Sequence, residues 1–217
     1  MSGVRRRATY ALAVAVGAGI GIALAVAAGE PGATRQPPGE RVRAWPASPF
    51  QGSLMPDDVP VPRVALRDAS GETVNLAALR EPALITFASA ACQESCPLQA
   101  QVLREALDIL GTDVPAFVVA VDPRRDTARR ARRFLLEQRV SGRMRFLVGP
   151  HAALKAAWKG FAVAPQTARE HHQTRIVAVD GEGRQRVGWF LDQATPEAVA
   201  HDLELLLAES TRTRGRG

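Results

Sequence analysis

The stretch ALITFASAACQESCPLQ, residues 83 to 99, runs from an apolar segment into the opening of a helix and holds both cysteines of the chain. Its first half, ALITFAS, is short and apolar enough for a strand buried on both faces. Its second half begins a helix with Pro97 in the first turn. Leu103, Ala106, Leu107 and Leu110 then line one face, and Gly111 supplies the stop. Cys92 and Cys96 thus fall where a central strand passes into a helix, Cys96 near the N-cap and Cys92 one turn earlier.

That position gives the pair a chemistry. Free backbone N–H groups and the dipole at a helix N-terminus favour thiolate over thiol. The spacing also permits the Cα separation of about 4.4–6.8 Å that a disulfide needs. A purely structural bridge fits poorly, because closing so short a loop removes little chain entropy. Two unrelated buried cysteines are a further reading. A redox pair and a metal site carry most of the weight.

The surrounding elements define an α/β fold. Val64 and Leu66, then Val74 and Leu76, alternate with polar residues around the turn Asp68-Ala69-Ser70-Gly71, which predicts an N-terminal β-hairpin. PAFVVAV (115–121) and RFLV (145–148) are further strands. Between them Asp126 or Thr127 caps a helix that turns Ala131, Phe134 and Leu135 inward. Its arginines at 129, 130, 132 and 133 read as a solvated face. A short helix through Leu154 and Trp158 follows. RIVAVD (175–180) and RQRVGWF (184–190) form a closing hairpin, and Thr195 caps a last helix that Pro196 starts. Strands separated by helices, with a hairpin at the end, predict a mixed sheet flanked by helices.

The N-terminus carries a different signal. After Arg5, Arg6 and Arg7, residues Ala8 to Ala28 contain no charge, and 21 residues are enough to cross a bilayer as a helix. Ala25-Val26-Ala27 also reads as a signal-peptidase site, so residues 1–29 are a membrane anchor or signal segment. The arginines direct the remainder across the membrane. No cysteine follows the run to carry a lipid. Residues 30–59 are rich in Pro, Gly and Arg and read as a linker, in which Trp45 and Phe50 are candidates to dock on the domain. The domain proper spans 60–208, and 209–217 reads as a basic disordered tail.

The formal net charge of +6 does not indicate a nucleic-acid partner. Six arginines in the two terminal segments account for it, and residues 8–209 carry 22 basic and 22 acidic side chains.

Two thiolates make an incomplete metal site, and the chain has four histidines that could complete it. His201 reads as an exposed helix residue and His151 as a local cap. His171 and His172 lie in the polar loop QTAREHHQT, just before the strand that starts at Arg175. If that strand adjoins the one ending at the cysteines, its lead-in loop lies beside their turn. Two cysteines and one histidine suit Cu(I), whereas structural zinc wants four ligands.

The chain resembles the SCO/SenC family, membrane-tethered thioredoxin-like proteins that deliver copper to cytochrome c oxidase. The family's C-x-x-x-C-P appears as Cys92-Gln93-Glu94-Ser95-Cys96-Pro97, and its D-P-x-R-D-T as Asp122-Pro123-Arg124-Arg125-Asp126-Thr127. Counting back from Asp180 places the family's copper histidine at His172. The resemblance covers roughly residues 53–208. It implies a thioredoxin-like fold, a Cu(I) or Cu(II) ion held by Cys92, Cys96 and His172, and Asp122 as an acidic residue influencing the site. The chain departs from the family where Ala90-Ala91 and Gln93 flank the first cysteine. His171 stands where an acidic residue is common, as a substitute or fourth ligand.

The resemblance implies a metallochaperone in the bacterial cytoplasmic membrane. Its domain would face the periplasm, and its partner would be the copper-binding subunit of the oxidase or another copper-carrying protein. The alternative is a thiol-disulfide oxidoreductase acting on such a partner through a mixed disulfide. Thioredoxin-like reductases have C-x-x-C and a cis-proline opposite. This chain has one more residue between the cysteines and no proline from 166 to 174, which favours metal.

Overall fold

A computed structural model describes residues 48–57, 59–164 and 174–215. The membrane or signal segment, most of the linker, and both His171 and His172 lie outside the described residues. Among the described residues, no helix is long and apolar enough to cross a membrane.

The strands are β1 (Ser53–Leu54), β2 (Ala65–Asp68), β3 (Thr73–Asn75), β4 (Ala83–Ala88), β5 (Ala116–Ala120), β6 (Arg145–Val148), β7 (Arg175–Val179) and β8 (Gln185–Phe190). The helices are α1 (Ser95–Leu110), α2 (Ala128–Glu137), α3 (His151–Gly160) and α4 (Pro196–Arg214). The strands join in one mixed sheet ordered β1-β8-β7-β4-β5-β6-β2-β3.

Strand β4 is buried at every position and is paired on both sides, parallel to β5 and antiparallel to β7. Its unbroken apolar composition fits a strand with no face toward water. The β2–β3 hairpin forms as its alternation requires, with Leu66 opposite Val74. Strands β4, β5 and β6 run parallel, so the connections that follow β4 and β5 leave from one edge of the sheet. That edge receives the N-termini of α1 and α2.

Helix α1 turns Cys96, Gln99, Ala100, Leu103, Ala106 and Leu107 into the core, and it packs against α4. It stops at Gly111, whose φ of +65° is a left-handed conformation that costs glycine little.

The sequence expectations change at both ends of the domain. Residues read as linker belong to it: β1 pairs with β8, and Phe50 packs on the core beneath the Arg186 guanidinium. The fully buried Asp202 carboxylate accepts hydrogen bonds from the Gln51 and Gly52 N–H groups, both at 2.8 Å. His201 lies 3.1 Å from the Pro49 carbonyl, so it too meets this segment. The fastening residues are 150 positions away in sequence, beyond the reach of local composition. At the other end α4 continues to Arg214, through residues read as a disordered tail. Side chains of Arg212 and Thr213 bond to carbonyls one turn back, and Glu209 pairs with Arg186 at 2.9 Å.

Asp202→Ala removes the acceptor from two part-buried N–H groups, at a cost of about 1–3 kcal/mol each. The expected outcome is a lower urea midpoint together with new protease cleavage between residues 48 and 57. Unchanged cleavage would show that β1 is held without this carboxylate.

Candidate functional site

After β4 the chain makes a short turn through Ser89 to Glu94 before α1 begins. The Cys92 N–H donates to the Ser89 carbonyl at 3.1 Å, which sets Cys92 back toward the helix axis. Glu94 is the N-cap residue, but its side chain makes no capping hydrogen bond. The sulfur of Cys92 takes that role, accepting the Cys96 N–H at 3.4 Å with the Ser95 hydroxyl at 3.8 Å. Cys96 is therefore inside the first turn, one step further than its sequence position suggested. Pro97 follows where a missing N–H leaves no donor unsatisfied.

Both cysteines are free thiols, Cys92 half-buried and Cys96 buried. Their environments drive them apart. The Cys96 thiol donates to Cys92, and this is the largest cause lowering the Cys92 pKa from 9.0 to about 4. Partial burial opposes the shift, and the Glu94 and Cys96 N–H groups and Ser95 reinforce it. Cys96 moves far upward, first through its hydrogen bond to Cys92, then through burial and the neighbouring negative charge. One proton is thus shared toward the buried sulfur while the accessible one is a thiolate.

A second loop closes on this turn. Asp126, 4% exposed, accepts from the Ser89 hydroxyl and the Ala90 N–H at 2.8 Å, and from the Asp122 N–H at 2.9 Å. Burial pushes this carboxyl upward, and the three donors pull it back. Thr127, not Asp126, caps α2 by accepting the Arg130 N–H. The sequence offers Asp126 as a capping alternative and as part of the Asp122–Thr127 motif, with no buried role. Its 4% exposure in a polar motif was not visible there, because the donors come from a segment 36 residues away. The Asp122 carboxylate is half-buried and accepts from the Arg124 and Arg125 N–H groups at 3.2 and 3.3 Å. It reaches the cysteine turn through its backbone, by way of Asp126.

The other flank is strand β7. Ile176 pairs with Thr86 in β4, so the chain enters β7 at the end where β4 leaves toward Cys92. The condition set for the histidine loop, that its strand adjoin β4, is therefore met, although His171 and His172 themselves lie outside the described residues. The start of β7 is gripped by two side chains. The Thr86 hydroxyl and the Gln99 amide donate to the Arg175 carbonyl at 3.0 and 3.4 Å. Gln99 is buried, three residues beyond Cys96, and its Oε1 has no partner among the described residues. His151 does not cap α3. It packs edge-on against Trp158 at 5.7 Å. Among the described residues no group of three or more His, Cys, Asp or Glu side chains is placed to hold a metal ion.

A mixed sheet flanked by helices, with an asymmetric thiol pair at the N-terminus of the helix after its central strand, defines a thioredoxin-like dithiol protein. The SCO1/SenC family model matches residues 61–208, and the chain belongs to that family. No curated protein matches the chain. Among solved structures it is similar to apo Sco1 from Thermus thermophilus, with 26% identity and a TM-score of 0.63 over 73% of this chain and 97% of that one. It is similar also to copper-bound ScoI from Bradyrhizobium japonicum, with 26% identity and a TM-score of 0.57 over 72% and 99%. BsSco, a member of the Sco family of cytochrome c oxidase assembly proteins with an identified disulfide switch, shares the fold at 21% identity. Its TM-score is 0.61 over 73% and 98%.

Cys92 is expected to alkylate with a midpoint near its lowered pKa of about 4, whereas Cys96 resists alkylation through neutral pH. Mass-resolved iodoacetamide labelling against pH measures both. Because the folded Cys92 value lies below the unfolded one, its thiolate stabilises the fold fully above about pH 8.5. The stability advantage over Cys92→Ser should shrink progressively as pH falls from there towards about 4 and be gone below it. A pH-independent difference in urea midpoint would contradict the thiolate assignment.

Proposed function

We propose that this protein is an extracytoplasmic copper metallochaperone that serves assembly of a cytochrome c oxidase copper centre. Cys92, Cys96 and His172 hold the ion. The observation that carries this reading is the Cys92 sulfur, held as a thiolate first by the Cys96 thiol beside it and then by the first-turn N–H of α1. Two adjacent sulfur donors suit soft Cu(I), and imidazole suits copper in either oxidation state. Family membership supports the reading, as does the copper-bound Bradyrhizobium relative. The pairing of β7 with β4 supports His172 as third ligand, because the strand following its loop starts beside the cysteine turn. His171 is the substitute, and Asp122 influences the site through the loop it shares with Asp126.

Copper is here the cargo. The chain's own residues bind it, screen it with the partly buried turn, and release it when a partner offers competing ligands. Delivery to an oxidase subunit or another copper-carrying protein requires the domain to stand outside the cytoplasm. The Arg5–Arg7 cluster and the apolar run from Ala8 to Ala28 support that topology.

One observation favours a second reading. An accessible low-pKa sulfur backed by a buried high-pKa one is also the asymmetry of an attacking and a resolving thiol. In that reading Cys92 attacks a partner disulfide, and Cys96 releases the product by forming the Cys92–Cys96 disulfide. The two electrons pass from the thiol pair to the partner.

Copper titration of the reduced full chain in neutral detergent separates the two. One equivalent is expected to bind, with loss of tight binding in Cys92→Ser and Cys96→Ser. His172→Ala should bind at least about tenfold more weakly and change the Cu(II)–thiolate absorption. Unchanged stoichiometry and spectrum in His172→Ala, with a change in His171→Ala, would move the ligand to His171. Disulfide reduction without copper binding would establish the oxidoreductase reading.

A further inference from the structure

The stretch from Asp122 to Arg139 holds seven arginines, no lysine and three acidic residues, whereas the rest of residues 8–209 carries 15 basic and 19 acidic side chains. One of those acids is the buried Asp126. Arg124, Arg125, Arg129, Arg130, Arg132 and Arg133 are all exposed. Among the described residues only two of the seven meet a carboxylate, Arg133 with Glu137 at 2.7 Å and Arg125 with Asp122 at 4.0 Å. Arg130 and Arg132 reach backbone carbonyls of Arg125 and Ala69, which leaves their charge uncompensated among the described residues.

The placement runs against local stability. The first turn of α2 contains Arg129 and Arg130 and no acidic residue, so positive charge sits at the positive end of the helix dipole. A solvated face alone would be served as well by neutral or acidic residues there. Leu136, 67% exposed, stands one turn from Arg132 and Arg133, an apolar contact within a cationic rim. Arginine forks suit carboxylate pairing, and arginine is enriched at protein interfaces. A single leucine is too little apolar surface to seat the helix in a bilayer. The surface is joined to the thiols, because the turn carrying Arg124 and Arg125 shares the Asp126 carboxylate with the cysteine turn.

We propose that the arginine surface of α2 and the turn before it docks an acidic face of the protein that comes to the thiol pair. This rests on the copper reading only for the choice of partner. The attraction steers encounter, so it acts on association rate and weakens with salt.

The test uses the full chain in neutral detergent and, as probe, the soluble copper-binding domain of the oxidase subunit from the same organism, both metal-free. Association is followed by surface plasmon resonance at low and high salt. Combining Arg124→Gln, Arg125→Gln, Arg129→Gln and Arg130→Gln should slow association about tenfold and flatten its salt dependence. Cys92 alkylation and copper stoichiometry should stay as in the wild type, which shows that the fold and site are intact. The control combines Arg80→Gln and Arg143→Gln, which precede β4 and β6 at the other end of the strands, with Arg212→Gln and Arg214→Gln. It should leave association unchanged.

Equal losses in the two variants, an unaffected test variant, or no salt-sensitive association of the wild type would each overturn the proposal. So would binding to phosphatidylglycerol vesicles that the test variant loses while it keeps its association with the probe, since that assigns the surface to lipid. Copper titration is read separately, so failure of the copper site and failure of the docking surface give different results.

Discussion

The site depends on one buried carboxylate. Asp126 takes donors from two loops that follow different strands, and without it the Ser89 hydroxyl and the Ala90 and Asp122 N–H groups would lose their acceptor. Leaving such groups buried and unpaired costs about 1–3 kcal/mol each, so the acidic side chain is retained although burial disfavours its charge. The consequence is geometric. Parallel pairing of β4 with β5 brings the two loops to one edge of the sheet, and Asp126 fixes their separation. Cys92 inherits its position from Ser89, whose hydroxyl bonds to Asp126 and whose carbonyl accepts the Cys92 N–H.

Within that frame the two sulfurs divide their work by burial. A helix start normally recruits Ser, Thr, Asp or Asn to meet its free N–H groups. Here the N-cap is Glu94 without a capping bond, and the acceptor is the Cys92 sulfur. The helix thereby stabilises the thiolate, and the thiolate completes the helix. Any ion that takes the sulfur lone pairs, or any disulfide formed with Cys96, must compete with that hydrogen bond. Ligand exchange at Cys92 and order in the first turn of α1 are therefore coupled.

Much of this was legible in the sequence because it is local or periodic. The apolar run of β4, the Pro97 start and Gly111 stop of α1, the β2–β3 alternation and the Thr195-Pro196 start of α4 are each written within a few residues. The motif spacing was enough to place the two cysteines, whereas the strand after the histidines stood beside β4 only as a condition, which the β4–β7 pairing meets. What the sequence hid is non-local. Asp202 fastens residues 51 and 52 from the far end of the chain, and Asp126 answers Ala90 across 36 positions. The terminal helix ran past its expected end because Glu209 finds Arg186 in β8, a pairing that a basic, polar tail does not announce. Gln99, a polar residue outside the apolar face that the periodicity marks, is buried and holds the Arg175 carbonyl.

Gln99 and Thr86 hold the end of β7 that lies nearest the cysteine turn. Both donate to a single carbonyl at the first residue of β7, so the ladder between β4 and β7 is closed at the end nearest the cysteines. A strand end left to fray would let the preceding segment sample many distances from Cys92, and a third copper ligand carried there would pay for each ordering event in conformational entropy. Two side-chain donors on the Arg175 carbonyl hold that strand end in place. The same economy explains why Gln99, rather than an apolar residue of similar size, occupies a core position three residues after Cys96. The helix that carries the buried sulfur therefore also holds the first residue of the strand that follows the histidines.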